Sequence, residues 1–260
     1  MLKRIPKSKQ PKTRLLLTWL VSSSRPLKVQ ELSAVLVLRP FHSSHYDLEE
    51  NLGFNPEKRL RSLCGNLINI RNGNVSLLHQ STREFLVSSL GHPEDRFEDG
   101  GDFVLDVHAA SLELSISCLT YLNFDGFDIH SIPSLSWAYF TTSSANADTA
   151  KVPFVKYCAK YWPRHAALVS DAKAEEVLKL VRRLTENEYK LAFEYQLWRS
   201  LLMKSPRKSP PLLHLRVEYG LLNVLLVLEP RVENINQINF NTETSLHVAV
   251  NSGSHPHRNL

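Results

Sequence analysis

Two histidine pairs, His42 with His45 and His255 with His257, and one carboxylate pair, Asp125 with Asp128, have the types and close spacing that metal binding or acid–base work would use. Each histidine pair stands in a Ser- or Pro-containing stretch without Cys or acid partners at zinc-site spacing, so both pairs read as surface residues. Asp125 and Asp128 read as part of a solvated loop. The three cysteines, Cys64, Cys118 and Cys158, match no zinc or thiol-redox spacing and read as buried, reduced thiols. The sequence has no Gly-x-Ser-x-Gly elbow, no His-Glu-x-x-His and no Gly-x-x-x-x-Gly-Lys-Ser/Thr phosphate loop. The expectation is a protein that is not an enzyme and takes no metal and no cofactor.

Composition sets wider bounds. A chain of 260 residues with 43% hydrophobic content can build one or two domains with a real core. The net charge of +5 is concentrated at one end, where Lys3, Arg4, Lys7, Lys9, Lys12 and Arg14 stand without an acid among residues 1–14. Residues 1–13 read as a basic flexible arm, with a nuclear signal or a nucleic-acid contact as its functional options. No apolar run approaches the roughly 20 residues of a bilayer span, and Leu15 to Val21 is too short and polar-flanked for a secretory signal. A cytoplasmic protein with no membrane association is expected, a nuclear one if the arm is a signal. The Asn74-Val75-Ser76 triplet carries no weight without a secretory route.

The elements that must position any site follow from periodicity. Arg14 to Val21, Val29 to Leu38 and Glu57 to Cys64 read as helices. Leu67 to Ile70 and Val75 to Leu78 flank Asn72-Gly73, the dipeptide of a tight hairpin. A helix from His79 to Leu90, with Phe85 and Leu86 turned inward, closes what reads as a winged-helix unit over residues 14–92. A helical spacer follows over 93–203. It has a helix from Asp106 to Tyr121 with Leu112, Ile116 and Leu119 on one stripe, and one from Val152 to Trp162 that places Phe154, Tyr157, Cys158 and Tyr161 on one face. A low-hydrophobicity stretch, Thr141 to Thr149, reads as a loop between them. A long helical region from Ala172 to Leu202 carries Val177, Leu180, Val181 and Leu184, with an elbow at Glu186 and Asn187. The prolines of 204–211 make that segment a linker.

The remaining residues, 212–260, repeat a phrase. Leu213-His214 through Gly220 and Leu246-His247 through Gly253 match at an offset of 33 residues, the period of an ankyrin array. In that reading the Leu fills the space between stacked helices and the His bonds the turn backbone at the start of its helix. The Gly closes the helix in the left-handed conformation. Ala249 is the small residue expected two positions after His247, whereas Arg216 stands at that place in the first copy, which is therefore degenerate or a cap. Leu221 to Leu228 supplies a second helix, with Tyr219 and Leu221 as contact candidates. Ser254-His255-Pro256 breaks what should follow Gly253, so the segment reads as the front edge of an array.

A set of phrases gives the chain a family likeness. Arg25-Pro26-Leu27 with Glu31-Leu32, Leu63-Cys64-Gly65-Asn66-Leu67, and Leu78-His79-Gln80-Ser81 with Glu84-Phe85-Leu86 resemble the part after the NACHT nucleotide-binding module of fungal NLR-like proteins. His108-Ala109-Ala110, Cys118-Leu119, Tyr121-Leu122, Pro153-Phe154, Tyr157-Cys158-Ala159 and Tyr161-Trp162-Pro163-Arg164-His165 extend the resemblance towards the repeats. It implies a signal-transducing switch in which winged helix, spacer and repeat sensor act in series, with His79 at the position that contacts bound nucleotide. Lacking its own phosphate loop, this chain could use His79 so only with a nucleotide-binding module supplied in trans. The expected fold is mainly α: a winged-helix unit with a short β-hairpin, an all-helical spacer and degenerate ankyrin helix pairs. The expected function is a non-enzymatic protein–protein interaction fragment whose partner the sequence does not name. The alternatives are a nucleic-acid-binding regulator using the winged helix and the basic arm, and a truncated product without activity of its own.

Overall fold

The computed structural model describes residues 5–38, 48, 52–88, 105–124, 153–186, 236, 238 and 242–253. The loop at 141–149, the region from Asn187 to Leu202, the linker 204–211 and the first repeat copy lie outside the described residues. So do His42, His45, Asp125, Asp128, His255 and His257.

Helix α1 (Gln10–Ser22) follows a 3-10 turn at Lys7–Lys9 and buries Thr13, Leu16, Leu17, Thr18, Trp19 and Val21. It begins four residues earlier than the apolar pattern indicates. Pro11 is tolerated in the first turn, where its missing N–H has no helical partner to lose. Thr13 donates to the Leu63 carbonyl at 3.1 Å. The expected flexible arm of residues 1–13 is therefore corrected from Lys7 onward: the segment is helical and docked.

The chain leaves α1 at Ser23 in an extended conformation and makes strand β1 (Leu27–Lys28) before α2 (Val29–Val37). Helix α2 is buried on nearly every side, from Val29 and Leu32 to Leu36 and Val37, as a helix apolar all round must be. Helix α3 (Pro56–Cys64) is capped by the Asn55 side chain, which accepts from the Lys58 N–H, and buries Leu60, Leu63 and Cys64 at i, i+3 and i+4.

Strands β2 (Ile68–Arg71) and β3 (Asn74–Leu77) form the hairpin, with Ile68 opposite Leu77 and Arg71 opposite Asn74. Asn72 at φ 50° and Gly73 at φ 74° give the pair of left-handed residues that a type I′ turn requires. Strand β1 joins the other side of β3, Leu27 facing Val75 and Lys28 facing Asn74, so the sheet has three strands in the order β1-β3-β2. Helix α4 (Gln80–Ser88) follows and buries Leu86. Phe85 is 46% exposed, against the inward orientation expected, because Leu86 occupies the core-facing position of that turn.

Helices α5 (Val107–Leu122), α6 (Val155–Ala166) and α7 (Asp171–Glu186) make the helical part. In α5 Leu119 is buried, but Leu112 and Ile116 are only half-buried. The deeper line runs through Ala110, Ser111, Leu114, Ser115 and Cys118. Small side chains let α6 approach closely, and the Ser115 hydroxyl is satisfied by the Ser111 carbonyl at 2.7 Å. In α6 the predicted face is found, with Phe154, Tyr157, Cys158 and Tyr161 all buried, and the helix runs on through Pro163 to Ala166. Val177 and Val181 of α7 are buried, with Leu180 packed beside them.

The expected division at residues 92 and 93 does not separate two cores. A single cluster of buried side chains runs from Leu16 and Trp19 through Leu36, Leu63 and Val75 to Leu119, Tyr157 and Val181. Trp19 of α1 stands edge-on to Phe154 and to Tyr157, at ring-centroid distances of 5.3 and 5.7 Å. The fold is mainly helical, with one small sheet.

Candidate functional site

His79 lies between β3 and α4, exposed, with its carbonyl accepting from the Thr82 N–H at 3.1 Å as the new helix starts. It borders a cleft of about 370 Å³ between the end of α1, the sheet and α4, lined also by Ser23, Ser24, Arg25, Ser76 and Arg83. Among the described residues, no carboxylate belongs to the lining. Arg83 is tethered by a bond from Nη2 to the Val21 carbonyl at 3.3 Å. Two guanidinium groups, an imidazole and serine hydroxyls around one opening suit an anionic group.

The wall behind this cleft is polar but buried, and nothing in the sequence pattern announced it. Arg25 holds Glu31 with two bonds, 2.6 Å from Nη2 and 2.9 Å from Nη1. Burial opposes the charge of Arg25, yet the hydrogen bond and Coulomb attraction to Glu31 raise its pKa above the ordinary value. Glu31 also accepts from the Lys28 N–H at 2.7 Å, tying the start of α2 to the same pair. The Arg25 guanidinium lies 5.1 Å from the centre of the Tyr157 ring. Tyr157 Oη accepts from the Ser24 N–H at 3.1 Å and sits 2.9 Å from His165 Nε2. Burial, with Arg164 nearby, lowers the His165 pKa to about 4, so the ring is neutral near pH 7 and shares one hydrogen bond with the tyrosine hydroxyl. Burial also pushes Tyr157 up.

The thiols are free and buried. Burial raises Cys64 to about 12 and lifts Cys158 well above the usual thiol range, with a side-chain hydrogen bond to Cys118 adding to the effect. Such thiols are poor nucleophiles and poor metal ligands. Among the described residues, no group of three or more His, Cys, Asp or Glu side chains is placed to hold a metal ion. Among them, too, no helix is long and apolar enough to cross a membrane.

Of the repeat residues, Leu213, His214 and Gly220, with Tyr219 and Leu221, lie outside the described residues. Leu246, His247, Ala249 and Gly253 fall on helix α8 (Ser245–Gly253). Ahead of it, Ile238 and Thr244 form an antiparallel bridge around Thr242, whose φ is 63°. His247 Nδ1 lies 2.8 Å from Thr244 Oγ1 and accepts from the Thr244 N–H at 3.2 Å. Leu246, expected to fill the space between stacked helices, is instead 72% exposed, and Val250 is 62% exposed. Gly253 is the last helical residue.

The order helix, strand, helix, helix, two-stranded wing, with β1 completing the sheet, is on its own enough to describe the first part of the chain. Residues 3–98 match the family model described as GPI inositol-deacylase, winged helix domain. They form a winged-helix domain. The match begins at residue 3, which agrees with the docking of the basic segment onto α3 through Thr13 and Leu63. Neither a curated protein nor a solved structure matches the chain. The described residues that line the cleft at His79 belong to the winged-helix domain, while Tyr157 and His165 behind it come from α6.

Proposed function

We propose that this chain is a non-enzymatic protein–protein interaction module, similar to the part of fungal NLR-like proteins that follows the NACHT module. In this reading the winged-helix domain and the helices α5 to α7 form one rigid body that carries an ankyrin-like segment. The observation that carries the reading is α8. Its first turn is closed by the Thr244–His247 pair, and it presents Leu246 and Val250, four residues apart, to solvent. Large aliphatic side chains on one exposed helix stripe are what a protein-binding repeat surface offers. The 33-residue echo at Leu213-His214 supports the same reading from sequence.

The test compares the full chain with the Leu246→Glu, Val250→Glu double variant in affinity capture from extracts of the source cells. Partners lost on the double variant and kept on Lys179→Gln, an exposed change on α7, support the module. Partners indifferent to both changes, or release of phosphate from ATP by the purified chain, would sink it.

A second reading is favoured by the cleft. Arg83 and Arg25 border, beside His79, an opening with no carboxylate among its described lining residues, so a nucleotide phosphate held by a module in trans has guanidinium partners there. Isothermal titration with ADP alone and with a nucleotide-binding partner module distinguishes this from simple phosphate binding.

A further inference from the structure

The folding of the basic segment onto α3 creates a surface that neither element has alone. Lys9 Nζ donates to the Ser62 carbonyl at 3.3 Å, and Thr13 to the Leu63 carbonyl at 3.1 Å, so the start of α1 is fastened to the C-terminal end of α3. Lys7, Lys9 and Lys12 are exposed there. Along α3 itself Lys58 and Arg61 are exposed, on the side away from the buried Leu60, Leu63 and Cys64. At the other end of the helix, just before its Asn55 cap, stands Phe54 with its ring fully in solvent. The result is a track of cations about 12 Å long, by helix rise, from an exposed aromatic ring to a lysine cluster. Among the described residues, Glu57 is the acid along this helix. It sits in the first turn of α3, where the positive end of the helix dipole offsets it.

We infer that this track binds single-stranded nucleic acid, without regard to sequence, through its phosphates and one stacked base. Exposed Lys and Arg at intervals of a helical turn match the phosphate repeat of a flexible strand, and their binding releases counterions. Phe54 supplies the flat face on which an unpaired base stacks, which a duplex would not offer it. Among the described residues no side chain at base-reading spacing accompanies it, so the contact is with backbone and π-face rather than with base edges. An anionic lipid surface would need more apolar anchorage than one ring. An acidic protein would leave the exposed ring without a pocket. This inference uses residues separate from α8 and from the His79 cleft, and stands or falls independently of both.

The experiment is fluorescence anisotropy of the full chain with a labelled mixed-sequence single-stranded DNA of about 16 nucleotides, over a salt series. The Lys9→Gln, Lys58→Gln, Arg61→Gln triple variant is expected to bind at least tenfold more weakly, with a salt slope shallower by about 2. Phe54→Ala is expected to bind roughly tenfold more weakly with the slope unchanged. Lys179→Gln should bind like the wild type. Circular dichroism confirms that each variant, altered only at exposed positions, remains folded. No binding at low salt, equal binding by the triple variant, equal affinity for the corresponding duplex, or binding to phosphatidylserine vesicles in place of the oligonucleotide would each overturn the inference.

Discussion

Glu31 is 3% exposed, and both of its carboxylate oxygens are held by the two terminal nitrogens of Arg25. A buried carboxylate is tolerable only when paired, and the fork of a guanidinium is the side chain that pairs both oxygens at once. The pair fixes the turn between α1 and β1, and the same arginine stacks over Tyr157 of α6. It therefore belongs to the winged-helix domain and to the junction with the helical part together.

Replacing Arg25 by Ala strands that charge and should cost about 3–5 kcal/mol in unfolding free energy. Arg25→Lys keeps the charge but loses the two-point contact and should fall between. The combined Arg25→Met, Glu31→Leu variant should recover most of the loss, since no uncompensated charge is left. Urea denaturation of the three variants reads the order directly. An Arg25→Ala variant as stable as wild type would mean that Glu31 finds water.

Tyr157→Phe removes one hydroxyl that serves both the Ser24 N–H and His165 Nε2. Leaving the buried His165 ring and the part-buried Ser24 N–H without this partner should cost about 1–3 kcal/mol. An equal effect of Tyr157→Phe and of a surface change such as Lys179→Gln would contradict the buried bond.

His165 gives the junction a pH signature. Its folded pKa, about 4, lies below the ordinary 6.5, so between these values the unfolded chain takes up a proton that the folded chain refuses. The contribution of this residue to stability is thus fully present above pH 6.5 and lost as pH falls towards 4. The slope is at most about 1.4 kcal/mol per pH unit. Carboxylates act in the same range, so the measurement is the difference between wild type and His165→Gln in urea midpoint at several pH values. The variant should show the shallower decline.

What the sequence disclosed and withheld follows one rule. The hairpin was legible because Asn72-Gly73 demands one backbone conformation, and both residues adopt it. The α6 face was legible because Phe154, Tyr157 and Tyr161 are large and recur at helical spacing. Strand β1 was not, since two residues carry no periodicity and Leu27-Lys28 becomes a strand only by meeting Val75 and Asn74. The buried line of α5 was missed because Ser111 and Ser115 look polar until their bond to the helix backbone is seen. The lysines of the basic segment make it look free in sequence, whereas Thr13 and the fold of α3 decide its place. His79 was singled out by family likeness, and its cationic neighbours Arg25 and Arg83 emerge only in three dimensions.

Gly73→Ala isolates the cost of the turn. An added Cβ meets no atom within 4 Å, so sterics with neighbours contribute nothing and only the left-handed backbone, at φ 74°, is penalised. The expected loss is about 1–2 kcal/mol. A thermal melt checks it, and a neutral result would show that the turn relaxes to another type.

The thiols offer a simple measure of how tightly the core closes. Cys64, Cys118 and Cys158 are buried, and burial favours the unreactive protonated form of Cys64 and Cys158. Native chain should therefore label slowly with an aromatic disulfide reagent at pH 8 and at all three positions once unfolded in guanidinium. Fast native labelling of Cys118 or Cys158 would mean that α5 and α6 separate readily.

The Thr244–His247 pair makes a cap in which histidine does what glutamate does elsewhere. Thr244 precedes the first residue of α8, and the third, His247, returns its Nδ1 to the Thr244 N–H at 3.2 Å. The threonine hydroxyl meets the same ring atom at 2.8 Å, and the Val248 N–H bonds the Thr244 carbonyl at 3.1 Å. The ring nitrogen thus stands where the carboxylate of a capping box would accept the same N–H. His247→Ala removes the acceptor and frees the first turn, at a cost of about 0.5–2 kcal/mol confined to α8. Amide exchange at Val248, Ala249 and Val250 should accelerate severalfold while Leu16, Leu36 and Cys118 in the core keep their protection. Uniform acceleration across the chain would show instead that α8 is integral to the global core, and unchanged exchange at α8 would show that the cap does not start the helix. Only the local response fits the proposed repeat surface, held by its own turn and presenting Leu246 and Val250.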